Sequence, residues 1–301
     1  MSVAPSADRD PRSKSTTSAR REVPRVPGAL PLVGHTIAFA RDPDAFIAAC
    51  TRRHGTVFGV KLLAGPRTFL LDPFDYPKIF AEERLRFQES GAEIGGRVFG
   101  YPKETALGEP AHAISHVTGR DMRGDALQVI SEQMQALFVA RMARAIGRGT
   151  IERPLLELLS DEFFAAGIDA IFGEGFATKA LYEDYALLDR FFGAAVAGVP
   201  AWALPGFVRA RDGLARAMLR RGPKYASVLD GRDEVYRTHA LDRPLTARFD
   251  VGLLWASQAN TVMTAFWTLV YLLRHPEALA RVQDEVRTVT GATTLARAEP
   301  I

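Results

Sequence analysis

The sequence predicts a mainly α-helical protein with a small β-hairpin near its N-terminus. Two runs with strand-like residues, Thr56–Leu63 and Arg67–Leu71, flank the turn Ala64-Gly65-Pro66 and predict the hairpin. From about residue 110 onward, segments of helical length follow one another. Among them, Val251–Leu273 runs for 23 residues without a charge or a proline, which is typical of a helix in a core.

Local signals justify each further element. The proline-rich segment Pro24–Gly34 favours extended backbone. Asp42 and Pro43 are start signals for a helix that Gly55 ends, and Asp72-Pro73 starts a short helix to about Ala81. The glycines of Ser90–Gly108 predict a loop. The remaining helices are predicted at 110–123, 125–147, 152–172, 178–196, 206–229, 246–274 and from Pro276 to just before Gly291.

Composition favours an ordinary globular protein, since 47% of the 301 residues are hydrophobic and 24% are charged. The formal net charge is +3, and residues 1–25 alone carry six basic and three acidic side chains. The rest of the chain is therefore close to neutral, and we expect no nucleic-acid partner. Residues 1–24 lack the apolar block of a signal peptide and are interpreted as a disordered arm.

Cys50 is the only cysteine, which excludes an intrachain disulfide and a cysteine metal cluster. It fits a reducing compartment, so a cytoplasmic location is expected. Val251–Leu273 is long enough to cross a bilayer. Its polar side chains argue against exposure to lipid, and we expect no transmembrane segment. These side chains are Ser257, Gln258, Asn260, Thr261, Thr264 and Thr268.

Several motifs resemble the cytochrome P450 family over about residues 24–290. They are V-P-G-A-L-P-L-V-G (26–34), I-F-G (171–173), V-A-G-V-P (196–200), L-W-A-S-Q-A-N-T (254–261) with F-W after it, and R-H-P-E-A-L (274–279). The resemblance is nearest to the branch of sterol 7α- and 12α-hydroxylases and prostacyclin synthases. It implies the N-terminal two-thirds of a P450 fold, a haem cofactor, a redox partner and hydroxylation of a sterol-like or other hydrophobic substrate.

The resemblance also implies roles in the long helix. Thr261 would hold bound oxygen and steer protons to it, which favours a hydroxylase over a peroxide isomerase. Asn260 stands where the family commonly has a carboxylate and would order water or grip a substrate hydroxyl. Ser257 would lie beside the haem. The alternative is that Thr261 bonds its own i−4 carbonyl and Asn260 bonds a neighbour.

Other residues receive roles from the same resemblance. His116 and Arg120 are four residues apart, as in the pair that holds a haem propionate, although a solvated charge is the alternative for Arg120. Trp255, Gln258 and Trp202 are expected to contact substrate. The loop around Trp202 is predicted to lie at the substrate entrance, with peripheral membrane contact; a buried packing turn is the alternative.

Haem chemistry in this family requires a cysteine thiolate on the iron. That cysteine follows the long helix and a Glu-x-x-Arg helix, and neither occurs here after residue 274. The strings at 83–86 and 234–237 precede the long helix and are taken as chance. We therefore expect residues 25–301 to be an incomplete P450 domain, a truncated chain that is inactive alone. The alternative is a non-enzymatic helical lipid-binding or interaction protein derived from that fold.

Overall fold

The computed structural model describes residues 22–290, except 83, 86, 148 and 223–225. Most of the predicted N-terminal arm, residues 1–21, lies outside this part, as do both ends of the string 83–86. The chain divides into two compact units, residues 1–78 and 79–301, which are described separately.

The first unit holds the predicted hairpin and the predicted helix before it. Strands β1 (Val57–Leu62) and β2 (Gly65–Leu70) are antiparallel, with Val57 opposite Leu70. Helix α1 covers Thr36–Arg41, and α2 covers Pro43–His54 as predicted. The Asp42 carboxylate accepts from the Ala45 amide at 2.9 Å and so caps α2. A 3₁₀ turn at Pro73–Asp75 replaces the start of the next predicted helix.

The opening segment and Cys50 also belong to this unit. The opening segment is extended at its start, where the Val26 amide donates to the Gly59 carbonyl of β1 at 2.8 Å. The extended backbone predicted for all of Pro24–Gly34 is wrong at residues 31–33, which form a turn with Leu32 at φ +65°. Cys50 is 5% exposed and packs with Phe58 in a small core. Burial raises the pKa of the Cys50 thiol. It is therefore a packed side chain, not a free thiolate.

The rest of the described chain is helical. The helices are α3 (Tyr76–Phe80), α4 (Phe87–Val98), α5 (Lys103–Leu107), α6 (Glu109–Asp121), α7 (Gly124–Ile146), α8 (Leu155–Phe172), α9 (Lys179–Val196), α10 (Phe207–Leu219), α11 (Ser227–Thr238), α12 (Arg243–Gln258), α13 (Thr261–Arg274) and α14 (Pro276–Thr290). Predicted and observed ends of α6, α7, α9 and α14 differ by at most two residues, which is the usual uncertainty of helix ends. Within the described residues, no helix combines the length and apolar character needed to span a bilayer.

Two predictions in the second unit are wrong. The loop expected at Ser90–Gly108 contains α4 and α5, because tertiary packing overrides the low helix propensity of glycine. A Cβ at Gly95 would lie 1.9 Å from the Tyr101 hydroxyl, so glycine is what allows this ring to pack on α4. The single helix expected at 206–229 is instead α10 and α11. The sequence Gly222-Pro223 explains the interruption, since proline disfavours helical backbone at the preceding residue.

Helix α8 lies in the main core of the second unit. Its side chains Phe164, Ile168 and Phe172 are at most 1% exposed. They belong to the same apolar cluster as Val251 and Leu254 of α12. This packing holds α12, and with it the segment Ser257–Thr261, against α8.

Candidate functional site

The predicted long helix is broken in the middle. The sequence favours one helix over 246–274, whereas α12 ends at Gln258 and α13 begins at Thr261. Two side-chain hydroxyl groups account for the break between α12 and α13. The Ser257 hydroxyl donates to the Leu254 carbonyl at 2.9 Å, and the Thr261 hydroxyl donates to the Ser257 carbonyl at 2.7 Å. Such side-chain bonds compete with backbone amides for the same carbonyls and distort helices.

The break affects the hydrogen-bond ladder more than the path of the chain. Ala259 has φ −54° and ψ −40°, and Asn260 has φ −94° and ψ −29°, both close to helical values. Regular bonds resume at once, since the Thr264 amide donates to the Asn260 carbonyl at 2.8 Å. The predicted motif thus forms a one-turn irregularity between two regular helices.

A cavity of about 580 Å³ lies beside this irregularity. It is bounded by α7, α8 and α13, and its lining residues are Phe138, Leu159, Phe163, Asn260, Thr261, Thr264, Ala265, Thr268 and Leu269. Asn260, Thr264 and Thr268 are four residues apart, so they share one face of the chain. The opposite wall is apolar, with the rings of Phe138 and Phe163 edge to face at 5.4 Å. The cavity therefore has one polar stripe on an otherwise apolar lining.

Asn260 and Thr261, the two predicted catalytic residues, are together at this cavity. The Thr261 hydroxyl donates its proton to the Ser257 carbonyl, the i−4 bond that was the alternative to a catalytic role. Its oxygen still has lone pairs that can accept a hydrogen bond from a ligand. The Asn260 side chain is exposed to the cavity and has no hydrogen bond to any described residue. The part of the alternative that has Asn260 bonding a neighbour is therefore wrong.

Three other predicted residues of α12 lie outside the cavity lining. Ser257 is half-buried and accepts from Gln258 Nε2 at 3.2 Å. Gln258 is 1% exposed and packs against Gly167 of α8, so it contributes to helix packing and not to the cavity surface. Trp255 stacks on Phe192 with ring centres 4.0 Å apart, and its Nε1 donates to Asp189 at 2.9 Å.

The remaining predicted residues are also away from the cavity lining. Arg120 of α6 makes two hydrogen bonds to Asp121, at 2.5 and 2.7 Å, and its side chain is 60% exposed. His116 is exposed on the same helix. Trp202 is 85% exposed in a 3₁₀ turn, so the buried-turn alternative is wrong for this side chain. Propionate binding by Arg120 and His116, and substrate contact by Trp202, stay predictions.

The apolar wall of the cavity was not predicted from the sequence. Phe138, Leu159 and Phe163 are ordinary core-type residues of α7 and α8, and more than ninety positions separate them from Thr261. Nothing local distinguishes an apolar side chain that lines a cavity from one that packs in a core. Only the tertiary arrangement of α7, α8 and α13 identifies them.

The chemistry of the cavity lining is compatible with one apolar face of a ring such as a porphyrin. This lining has no charged side chain, and the hydroxyl and amide groups are confined to the stripe on α13. No cysteine, histidine or methionine is among the lining residues, so they supply no axial ligand for an iron. Nor do the described residues include any group of three or more potential metal ligands.

Comparisons with known proteins agree with this architecture. The family model for cytochrome P450 matches residues 241–299. Cytochrome P450 7B1 of Mus musculus is 27% identical over 92% of this chain and 57% of its own length. The 5-beta-cholestane-3-alpha,7-alpha-diol 12-alpha-hydroxylase of Sus scrofa is 27% identical over 91% and 58%. Cytochrome P450 7A1 of Rattus norvegicus is 26% identical over 88% and 57%.

A solved structure supports the fold independently. The retinoic acid-bound cyanobacterial CYP120A1 superimposes with a TM-score of 0.65 over 88% of this chain and 64% of that one, at 15% identity. The molecule thus has the mainly helical fold of this solved cytochrome P450 structure. The chain resembles the cytochrome P450 family, and the relatives above are sterol hydroxylases. It spans 57–58% of the length of the three sterol-hydroxylase relatives above.

Proposed function

We propose that this chain supplies one wall of the active site of a cytochrome P450-type haem monooxygenase that hydroxylates a sterol-like or other hydrophobic substrate. The proposal depends mainly on the cavity beside the break between α12 and α13. There Asn260 and Thr261 lie opposite an apolar wall. The names of the relatives support the substrate class, since they include a 12-alpha-hydroxylase of a cholestane diol and a cholesterol 7-alpha-monooxygenase.

The lining residues divide into two roles. A haem bound here supplies the redox-active iron at which oxygen is reduced. Ala265, Leu269 and Phe163 would contact the ring and keep water away from it, because apolar walls exclude water from a reaction site. The haem would be held by this surface on one side, and the cavity residues contribute no ligand to the iron.

Proton handling falls to the polar stripe. The Thr261 hydroxyl is fixed by its bond to the Ser257 carbonyl, so its oxygen is held in place as an acceptor. Asn260 cannot exchange a proton as a carboxylic acid does, but its amide both donates and accepts hydrogen bonds. It would therefore orient a water molecule or a substrate hydroxyl beside Thr261.

A second candidate function is lipid binding without iron. It is favoured by the absence of any cysteine, histidine or methionine from the cavity lining. In this case the same walls would hold a sterol, and Asn260 would bond its hydroxyl. The redox partner stays a prediction of the monooxygenase alone. A peripheral membrane contact and a cytoplasmic location stay predictions under both functions.

Ligand binding to matched variants tests the proposal. The full chain is titrated with metal-free protoporphyrin IX, which needs no axial ligand, and separately with a fluorescent sterol, each followed by fluorescence anisotropy. Thr264→Phe places a ring in the cavity, whereas Met263→Phe adds the same ring to an exposed neighbour outside the lining. We expect saturable porphyrin binding that Thr264→Phe weakens at least about tenfold, or about 1.4 kcal/mol, and that Met263→Phe leaves unchanged.

The other outcomes are equally informative. Sterol binding that Thr264→Phe removes, without any porphyrin binding, contradicts the monooxygenase and supports the lipid-binding candidate. Equal effects of the two variants on both ligands would show that the cavity is not the binding site. Circular dichroism of both variants shows whether a lost signal comes from lost folding.

A further inference from the structure

Two arginine side chains meet beside Gly100, on the α10–α12 side of the second unit. Arg211 belongs to α10 and Arg248 to α12. A Cβ at Gly100 would be 2.9 Å from Nη1 of each, so the two nitrogens are separated by at most twice that distance, 5.8 Å. Gly100 also has a positive φ of +79°, which favours glycine. Like charges this close are unfavourable unless negative charge accompanies them.

The negative charge around this pair is insufficient. The Arg211 side chain is 15% exposed, and its Nε is buried without a hydrogen bond, 3.5 Å from Asp212 Oδ1. Arg248 donates to the same Asp212 oxygen at 3.2 Å and to the Phe99 carbonyl at 3.1 Å. Among the described residues, Asp212 is thus the one carboxylate that both guanidinium groups share. Burial, and then the charge of Arg248, lower the pKa of Arg211.

A small cavity adjoins this pair and contains a third cation. Its volume is about 210 Å³, and its lining residues are Asp212, Ala215, Arg216, Leu219, Pro244 and Arg248. Arg216 lies one helical turn after Asp212 on α10, is exposed, and forms no ion pair with a described residue. Three guanidinium groups therefore surround one carboxylate, a local surplus of two positive charges.

We propose that this cavity binds a compact oxyanion, a phosphate, sulfate or carboxylate group, between Arg216 and Arg248. Guanidinium groups hold such anions through paired, charge-assisted hydrogen bonds. The cavity is smaller than the roughly 300–1,000 Å³ of typical organic-ligand pockets, which suits a small ion or the charged end of a larger molecule. The bound anion offsets the surplus of positive charge. Arg211 lies next to Arg248, outside the cavity lining, and contributes to that surplus. The site is separate from the 580 Å³ cavity and does not depend on the proposed function.

Thermal unfolding of the full chain tests this site. Sulfate and phosphate are titrated against chloride at matched ionic strength, all as sodium salts. A ligand that binds only the folded state raises the unfolding midpoint as the logarithm of one plus the ratio of its free concentration to Kd, and fitting this dependence gives the Kd. Arg216→Gln, an exposed change that spares folding, and Arg248→Gln are each expected to weaken binding at least about tenfold. Arg281→Gln on α14 is the matched control, since it removes the same charge from an exposed position elsewhere.

The outcomes separate a built site from general screening. A midpoint shift with sulfate and phosphate that follows this logarithmic dependence, is absent with chloride, is lost in Arg216→Gln and is kept in Arg281→Gln supports the site. Equal shifts with chloride, or equal losses in the Arg216 and Arg281 variants, overturn it. A sulfated sterol then identifies the source of the anion. If it binds at least about tenfold tighter than sulfate and competes with it, the anion is the end of a larger ligand; equal affinity indicates a free ion.

Discussion

Replacing Asp250 by alanine is expected to lower the free energy of unfolding by about 3–5 kcal/mol. The Asp250 side chain is 4% exposed and accepts from Arg221 at 2.5 Å, from Arg232 Nε at 3.0 Å and from the Tyr236 hydroxyl at 2.6 Å. Without the carboxylate, the buried Arg232 guanidinium would keep its charge and lose its counter-ion. Urea unfolding followed by circular dichroism measures the loss.

The expected loss of stability in Asp250→Ala is large because Asp250 is buried. Two comparison variants test this explanation. Burial raises the pKa of the Tyr236 hydroxyl well above its usual range, so it remains a neutral donor to Asp250. Asp250→Asn keeps the shape of the side chain and should recover only part of the loss. Asp284→Ala removes an exposed partner of Arg287 and should cost less than about 1 kcal/mol. Similar losses for the Asp250→Ala and Asp284→Ala variants would contradict the account.

Replacing Gly167 by alanine is expected to cost about 1–3 kcal/mol, although alanine is the better helix former. A Cβ at Gly167 of α8 would lie 2.8 Å from Nε2 of Gln258, which is 1% exposed at the end of α12. The added methyl group must displace this amide or move the two helices apart. The same urea experiment measures the change.

Gly193→Ala is the matched control for this prediction. Gly193 lies in α9 with nothing within 4 Å of an added Cβ, so the substitution should raise stability by up to about 1 kcal/mol. The two glycine variants thus have opposite expected signs. In the double variant Gly167→Ala, Gln258→Ala, the two losses should be less than additive, since the clash is removed. Full additivity would show that Gln258 is not what makes Gly167 necessary.

Local signals in the sequence predicted those parts of the fold that depend on local physics. Asp42, Pro43 and Gly55 predicted α2 to the residue, because a cap, a first-turn proline and a terminal glycine act within a few positions. The hairpin and the start of α14 at Pro276 followed in the same way. Helices α4 and α5 did not, because the glycines that favour a loop at Ser90–Gly108 are tolerated where Tyr101 packs on Gly95.

Only the polar side of the candidate site was predicted from the sequence. The motif that contains Asn260 and Thr261 was recognised, and both line the cavity. The break before Thr261 was not predicted, since it depends on whether two hydroxyl groups turn back to carbonyls of their own helix. Gln258 and Trp255 were assigned to substrate from the motif alone. Their side chains contact Gly167 in one case and Phe192 and Asp189 in the other.

Mapping the residues that an iron porphyrin contacts tests directly whether the cavity beside α13 is a porphyrin site. Haemin is paramagnetic, so it broadens the NMR signals of nearby methyl groups in protein labelled at threonine and alanine. We expect the methyl signals of Thr261, Thr264, Ala265 and Thr268 to broaden first, at substoichiometric haemin, while those of Ala256 and Thr246 persist. Uniform broadening, or stronger broadening away from α13, would contradict a porphyrin site at this cavity.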